Sequence, residues 1–579
     1  LIISGQGVFK GYEYKSKSYT ALQPNAINYF SGEEIVGTGV TKNKMSMDWQ
    51  STNTMLYTAT ARYDWSNDKH SVGALVGTSY EHYKYERLAG SREEFPSDAL
   101  TDMEAGSTSG AGYTNGAGSS EYKMLSYFAR VNYTLMDRYL LEVNMRADAS
   151  SRFHKDHRWG YFPSFSAGWR MNEEGFMKDI EWINNLKIRA SYGTLGNINN
   201  VGNYDYFQNY SSGNHYNFSD SPVIGIGESK PANETLGWEK VALTDIGLDF
   251  DIFNGLLGVT ADYYIKNTSD ILLGYNVPTE TGITAAPSQN IGKVKNTGFE
   301  LALNHRNKIG AVNYSIGANI ATNKNKITNL GGSDNIIQTS SYIVKYILKK
   351  GESIGSFYGF KTDGLYTQAD IDAGHYYTLS GVVPNAGDVK FVPQRDIEYK
   401  QEITDEDRTI LGKDVPDFTY GVNLSLQYKG FEFSMFGQGI SGTKVAFDVY
   451  GVHPFYHGQD NPRKYHLKRW TEENPNPYAA YPRLYSASSV HTTYNRNFSD
   501  YHLFDSDYFR FKTLSLGYTV PSATVKSWGL QSLKVYVTGE NLFTVRADKK
   551  MEDFDPETAG GVIYTLGTKS VAFGVNISF

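Results

Sequence analysis

Across residues 245–266 the side chains alternate with a period of two, on both sides of a tight turn. Ile246, Leu248, Phe250 and Ile252 interleave with Asp245, Gly247, Asp249 and Asp251; Phe253, Asn254 and Gly255 reverse the chain; then Leu257, Val259, Ala261, Tyr263 and Ile265 interleave with small or polar residues. Successive side chains of an extended strand point to opposite faces, so each strand has one apolar face and one polar or small face. Three aspartates on one face cannot enter a dry core unpaired. That face predicts a wet interior, and the apolar face then needs a greasy surround.

The motif recurs with Phe299, Leu301 and Leu303, a turn at 308–310, then Val312, Tyr314, Ile316 and Ile320. It recurs again with Phe418, Tyr420, Val422, Leu424 and Leu426, a turn at Lys429 and Gly430, then Phe431, Phe433 and Met435. The last nine residues place Val571, Phe573, Val575, Ile577 and Phe579 on one face and Ala572, Gly574, Asn576 and Ser578 on the other. A terminal strand of this kind must pair its edge or leave a template for aggregation, and barrel closure removes the edge.

The connections alternate as well. Turns near 66, 137, 254, 309 and 429 are tight, whereas 87–121, 197–239, 269–292, 324–416 and 441–506 are long. An up-and-down barrel with all short turns at one end and all long loops at the other has the outer-membrane pattern. About 16 strands can be counted. A closed wall of about 22 would place roughly six more strands, and any lumen plug, upstream of Leu1. The chain opens in strand-like sequence without a charged n-region or apolar h-region, so its natural start is expected further upstream. The fold expectation is therefore an all-β, antiparallel transmembrane β-barrel, with residues 1–579 its C-terminal portion and the plug outside this chain.

Composition narrows the function classes. The 579 residues are too many for one soluble core, and the 45 Tyr, 30 Phe and 57 Gly favour strands and turns. A mean hydropathy of −0.46 and the lack of any apolar run near 20 residues exclude a helical membrane protein, but a barrel shows lipid only every second residue. A net charge of −7 speaks against nucleic acid. With no Cys, 12 His, and no HExxH, GxSxG or Walker sequence, an enzyme is not expected. The glycine-dense stretch 88–120 lacks the helix of a phosphate cradle and reads as a long loop, and 171–185 allows one helical turn or two. Residues up to about 64 read as extended chain. The acidic groups Glu33-Glu34, Glu93-Glu94 and Asp405-Glu406-Asp407 read as solvated charge in loops. Loop aromatics Tyr376, Tyr377, Trp470, Tyr478 and Tyr485 could stack on sugars or peptides; packing between loops or against a partner is the favoured reading. Tyr263, Tyr420, Tyr428 and Tyr518 read as an interfacial girdle.

Several segments, in order, resemble the SusC/RagA-type TonB-dependent outer-membrane transporters of Bacteroidota. They include LKIRASYGTLGN (186–197), LGWEKVALTDIGLDFDIFNGLLGVTADYYIKNTSDILL (236–273), IGKVKNTGFELAL (291–303), GESIGSFYGFKTDGLY (351–366), GDVKFV (387–392), DYFRFKTLSLGYTVP (507–521) and LKVYVTGENLF (533–543). The resemblance implies a nutrient importer in the outer membrane. A SusD-like lipoprotein would cap its mouth, TonB-ExbB-ExbD would drive it through a missing N-terminal region, and transporter–lipoprotein pairs could form a dimer. The expected cargo is an oligosaccharide, with an oligopeptide as the alternative; a passive porin and a secreted β-rich glycan-binding protein are the alternatives from other classes. Phe579 resembles the C-terminal aromatic read by the barrel-assembly machinery, with plain lipid contact as its other reading. Many relatives carry a calcium-loop-like segment after the strand matching GDVKFV. Here Asp396, Glu398 and Asp407 hold the first, third and twelfth positions, but Lys400 and Gln401 replace the fifth-position acid and the turn glycine. A Ca2+ site at this outer loop is set against a solvated acidic loop, and no other cofactor is expected.

Overall fold

The computed structural model describes all residues except 109–111, 219–220, 275–287, 340–342, 448–452, 455–461 and 558–566. Its wall is one antiparallel sheet of 17 strands among the described residues. In chain order these are β1 (Ile2–Thr20), β2 (Lys44–Ser66), β3 (His70–Glu93), β4 (Tyr113–Leu135), β5 (Tyr139–Ser150) and β6 (Trp159–Arg170). There follow β7 (Ile183–Asn197), β8 (Glu239–Ile252), β9 (Leu257–Gly274), β10 (Ser288–Ile309), β11 (Val312–Thr322) and β12 (Lys324–Leu330). The last are β13 (Phe418–Tyr428), β14 (Phe431–Ser441), β15 (Tyr508–Thr519), β16 (Ser532–Arg546) and β17 (Ser570–Ser578). Each strand pairs with its neighbour in sequence, except that β13 pairs with β11 rather than β12. Both β11 and β12 lie against β10 and are separated only at Asn323, so they form one stave and the 17 strands make 16 staves. Among the described residues β1 pairs only with β2, and β17 only with β16.

Tight turns gather at one end because their residues accept the backbone that a hairpin's twist requires. Met136 and Asp137 take φ of 51° and 56°, and Lys429 and Gly430 take 46° and 90°. Positive φ at both central positions gives the turn whose twist matches right-handed strands. The opposite end carries the long connections. The described parts of those at 331–417 and 442–507 pack around their own apolar core, which includes Phe360, Phe391, Trp470 and Tyr494.

Four expectations change in detail. Residues 88–93 and 113–120 are strand rather than loop: Arg87 pairs with Gly118 and Ala89 with Gly116, so backbone hydrogen bonds hold a ladder that side chains do not advertise. The initial extended stretch is broken at 21–43, where Ala26–Ile27 pairs with Glu34–Ile35 and Gln23 bridges to Val40. Residues 198–238 contain a separate hairpin, Asn209–Phe218 with Ser221–Lys230. The segment after β6 forms only a 3-10 turn, Met171–Glu173.

The staves differ in length. β1 to β4 have 19, 23, 24 and 23 residues, whereas β13 and β14 have 11 each.

Candidate functional site

The alternation places apolar side chains on the outside of the wall. Ile246 is 57% exposed, Tyr263 50% and Phe573 83%, values that a soluble protein would not sustain over a whole sheet. Tyr428 lies on the same face, and Tyr518 packs its ring 4.6 Å from Phe431. Phe579 is 82% exposed just beyond β17, in phase with Phe573 and Ile577.

The inner face is polar, and its charges are paired. Arg189 on β7 contacts Asp249 at 3.3 Å and Asp245 at 3.4 Å on β8, and reaches across β8 to Asp262 on β9 at 2.6 Å. The reach depends on Gly247, which pairs with both Arg189 and Asp262; a Cβ there would overlap the Asp262 carboxylate and the guanidinium. Asn185 donates to Asp251 at 3.1 Å. Sequence reasoning put these aspartates toward water but missed the arginine, because its partners are fixed only by the register of three strands. A second pair lies nearby: Arg146 donates from Nε to Asp148 at 2.8 Å and from Nη2 to Ser126 at 2.9 Å, and Arg130 donates to Asn144 at 2.6 Å. Together with Phe128, Phe162 and Thr194 these residues line a recess of about 560 Å³.

Aromatic rings on this face lie over glycines of the adjacent strand. Phe128 covers Gly77, Tyr264 covers Gly298 and Tyr536 covers Gly574, and each glycine's added Cβ would collide with the ring. Phe128 also carries the Arg146 guanidinium 5.7 Å from its ring centre.

In the loops the aromatic candidates divide. Trp470 is buried and Arg483 sits 5.4 Å over its ring, so it packs the loop core; Tyr485 stacks on His491 at 4.9 Å. Tyr377 lies 5.3 Å from Tyr399 and Tyr376 is half-buried, while Tyr478 is 75% exposed. Buried Asp388 accepts from Asn495 at 2.9 Å and is 2.8 Å from His491 Nδ1, which ties 382–392 to 483–495.

The acidic segment does not form a calcium loop. Asp407 is fully buried and accepts five hydrogen bonds, from the backbone N–H groups of Gln394, Arg395 and Thr404 and from Nε and Nη2 of Arg395. Burial alone would raise its carboxyl, but Arg395 and these N–H groups outweigh it and bring the pKa to about 2. Its oxygens are therefore committed to donors. Asp396 and Glu398 are exposed, and among the described residues no three acids or histidines are gathered as a metal requires. The donor set does not fit Ca2+, and the physical reason is Arg395, which occupies the ligand position with a cation.

The mouth also holds a buried histidine group. His453 and His502 lie 5.2 Å apart, ring centre to ring centre, and His502 Nδ1 is 3.1 Å from Ser499 Oγ. Burial, reinforced by the Lys550 charge, pushes His502 down to about 4, and burial moves His453 in the same direction.

Residues 5–542 match the family described as TonB dependent receptor-like, beta-barrel. The chain belongs to that family. Its members are outer-membrane transporters rather than enzymes, and the apolar outer face of the wall is the lipid-facing surface. TonB-dependent receptor P3 of Formosa agariphila is 29% identical over 92% of this chain and 52% of its own length. TonB-dependent receptor SusC of Bacteroides thetaiotaomicron is 29% identical over 79% of this chain and 43% of its own length. A structure of the RagAB peptide transporter covers 100% of this chain and 60% of its own, with a TM-score of 0.78 and 25% identity. These likenesses make the family member one of SusC/RagA type. The chain spans about half the length of the curated relatives it matches.

Proposed function

We propose that this family member forms the C-terminal wall of a TonB-dependent importer of oligosaccharides, supplied by a SusD-like surface lipoprotein. The carrying observation is the lumen face: aromatic rings over glycines beside paired charges and amides. Pyranose rings present C–H faces that stack on aromatics and hydroxyls that such pairs can bind. The mechanism is binding and passage. Outer loops and the lipoprotein would capture cargo, TonB-ExbB-ExbD would displace a plug supplied by the rest of the protein, and the polar inner face would provide a wet path. Transporter–lipoprotein pairs would assemble as dimers, and Phe579 would serve the barrel-assembly machinery. Family membership removes the secreted-protein and passive-porin alternatives.

An oligopeptide cargo is the second reading, favoured by the likeness to the RagAB peptide transporter along the whole of this chain. Mass spectrometry of small molecules released from the complex, purified in detergent from native membranes, separates the two. Co-purified oligosaccharides support the first reading. A ladder of short peptides overturns it.

A further inference from the structure

Where β9, β10 and β12 rise toward the long-loop end, the wall and the folded loops enclose a recess of about 390 Å³. Its lining includes Ile271, Leu273, Val294, Ile327, Leu348 and Ile354. Its polar residues include Asn296, Asn323, Asn325 and Lys266. The register assigns the face: Lys266 pairs with Asn296, and Asn296 with Asn325, so these residues continue the row of Asp262 and Tyr264 on the lumen side. Ile354, 39% exposed, marks an open side.

Two polar groups here are unused. Asn325 is spent: it donates to Asn296 at 2.7 Å and accepts from the Ile354 N–H at 2.8 Å. Asn323, at the break between β11 and β12, has a buried Oδ1 without a hydrogen-bond partner among the described residues. A buried acceptor left without a donor is unfavourable, so it is poised for one. Lys266 has no ion-pair partner among the described residues and is exposed on the same face.

An aliphatic pocket with one buried acceptor and a nearby ammonium fits a particular chemistry. A secondary amide offers an N–H for Asn323 Oδ1, a carbonyl oxygen for the Lys266 ammonium, and an aliphatic substituent for the pocket. An unsubstituted sugar supplies hydroxyl donors but would set them against aliphatic walls. We propose, resting on the oligosaccharide reading, that this recess is a subsite for an N-acylated amino sugar within the cargo. The acyl group enters between Ile327, Leu348 and Ile354, and its amide N–H donates to Asn323.

Binding to the intact transporter in detergent tests this, by calorimetry with three probes: a β-1,4-linked N-acetylglucosamine tetramer, the glucose tetramer of the same linkage, and a leucine tripeptide. The expected result is at least about tenfold tighter binding of the N-acetylated tetramer than of the glucose tetramer, the effect of satisfying one buried acceptor. That preference should disappear both in Asn323→Leu, which removes the acceptor, and in Ile354→Trp, which fills the pocket from its open side. Persistence of the preference in both variants overturns the assignment to this recess. Equal binding of the two tetramers overturns the subsite and leaves the oligosaccharide reading standing. Binding of the leucine tripeptide alone overturns that reading and gives the recess to a peptide side chain. No binding of any probe overturns both.

Discussion

Leu424→Arg and Asn423→Arg place the same cation one residue apart and on opposite faces of β13. Leu424 stands in an outward row with Ile316 and Met435, and Met435 in turn faces Leu514. It lies four residues from Tyr428, where the strand meets its tight turn. At roughly 3.3 Å per residue and a tilt of about 40°, that is about 10 Å into an apolar band about 25 Å thick, close to its midplane. An arginine there costs about 2–4 kcal/mol. Asn423 points inward, over Gly317, whose added Cβ would overlap the Asn423 amide. An arginine there extends into the polar interior, at an expected cost below about 1 kcal/mol. Urea titrations of the intact protein folded into short-chain phosphatidylcholine vesicles measure both. Equal losses in the two variants would show that β13 does not separate lipid from lumen, and the facing argument would fail for every strand paired to it.

Three further outcomes follow from the loops and the inner face. Because His502 is held near 4 in the fold against about 6.5 unfolded, its neutral form adds stability that is present above pH 6.5 and lost as pH falls toward 4. Between pH 7.5 and 5.5 the loss is about 1.4 kcal/mol, read as faster amide exchange in 490–507; unchanged exchange down to pH 5 would contradict it. Asp407→Asn should loosen 394–407 by roughly 1–3 kcal/mol, with faster proteolysis there, and added Ca2+ should leave the wild-type digestion rate unchanged; protection by Ca2+ that Asp396→Asn abolishes would restore the metal reading. Gly247→Val should separate Arg189 from Asp262 and cost about 1–3 kcal/mol in the same urea assay, while a neutral result would mean that the cluster relaxes without it.

The wall was legible because alternation needs no long-range knowledge. The stretch 245–266 and the terminal strand state their two faces locally, and Ile246 and Phe573 lie on the exposed outer side as their phase requires. The tall ends of β3 and β4 were not legible, since Gly116 and Gly118 serve a backbone ladder as well as they serve a loop. The Arg189 cluster depends on which residues of β7, β8 and β9 stand opposite one another, a relation that no single strand carries. For Trp470 loop packing is the favoured reading over stacking on a ligand, and the loops do bury it by folding on themselves, but which residues it meets was not legible. Asn323 carried no signal at all, since its unused oxygen appears only when the surrounding chains are in place.

The unequal staves make the rim of this structure uneven. At about 3.3 Å per residue and a tilt of about 40°, the 24 residues of β3 climb roughly 60 Å, while the 11 of β14 climb roughly 28 Å and barely clear the membrane. Two sectors, β1 to β4 and β9 to β10, therefore stand as tall paired backbone, and the short staves β13 and β14 hand that height to the folded loops. A cap lowered onto such a mouth meets a high wall over some staves and a low shelf over others. Contact made above the tall staves is contact with paired backbone, and contact made above β13 and β14 is contact with folded loops.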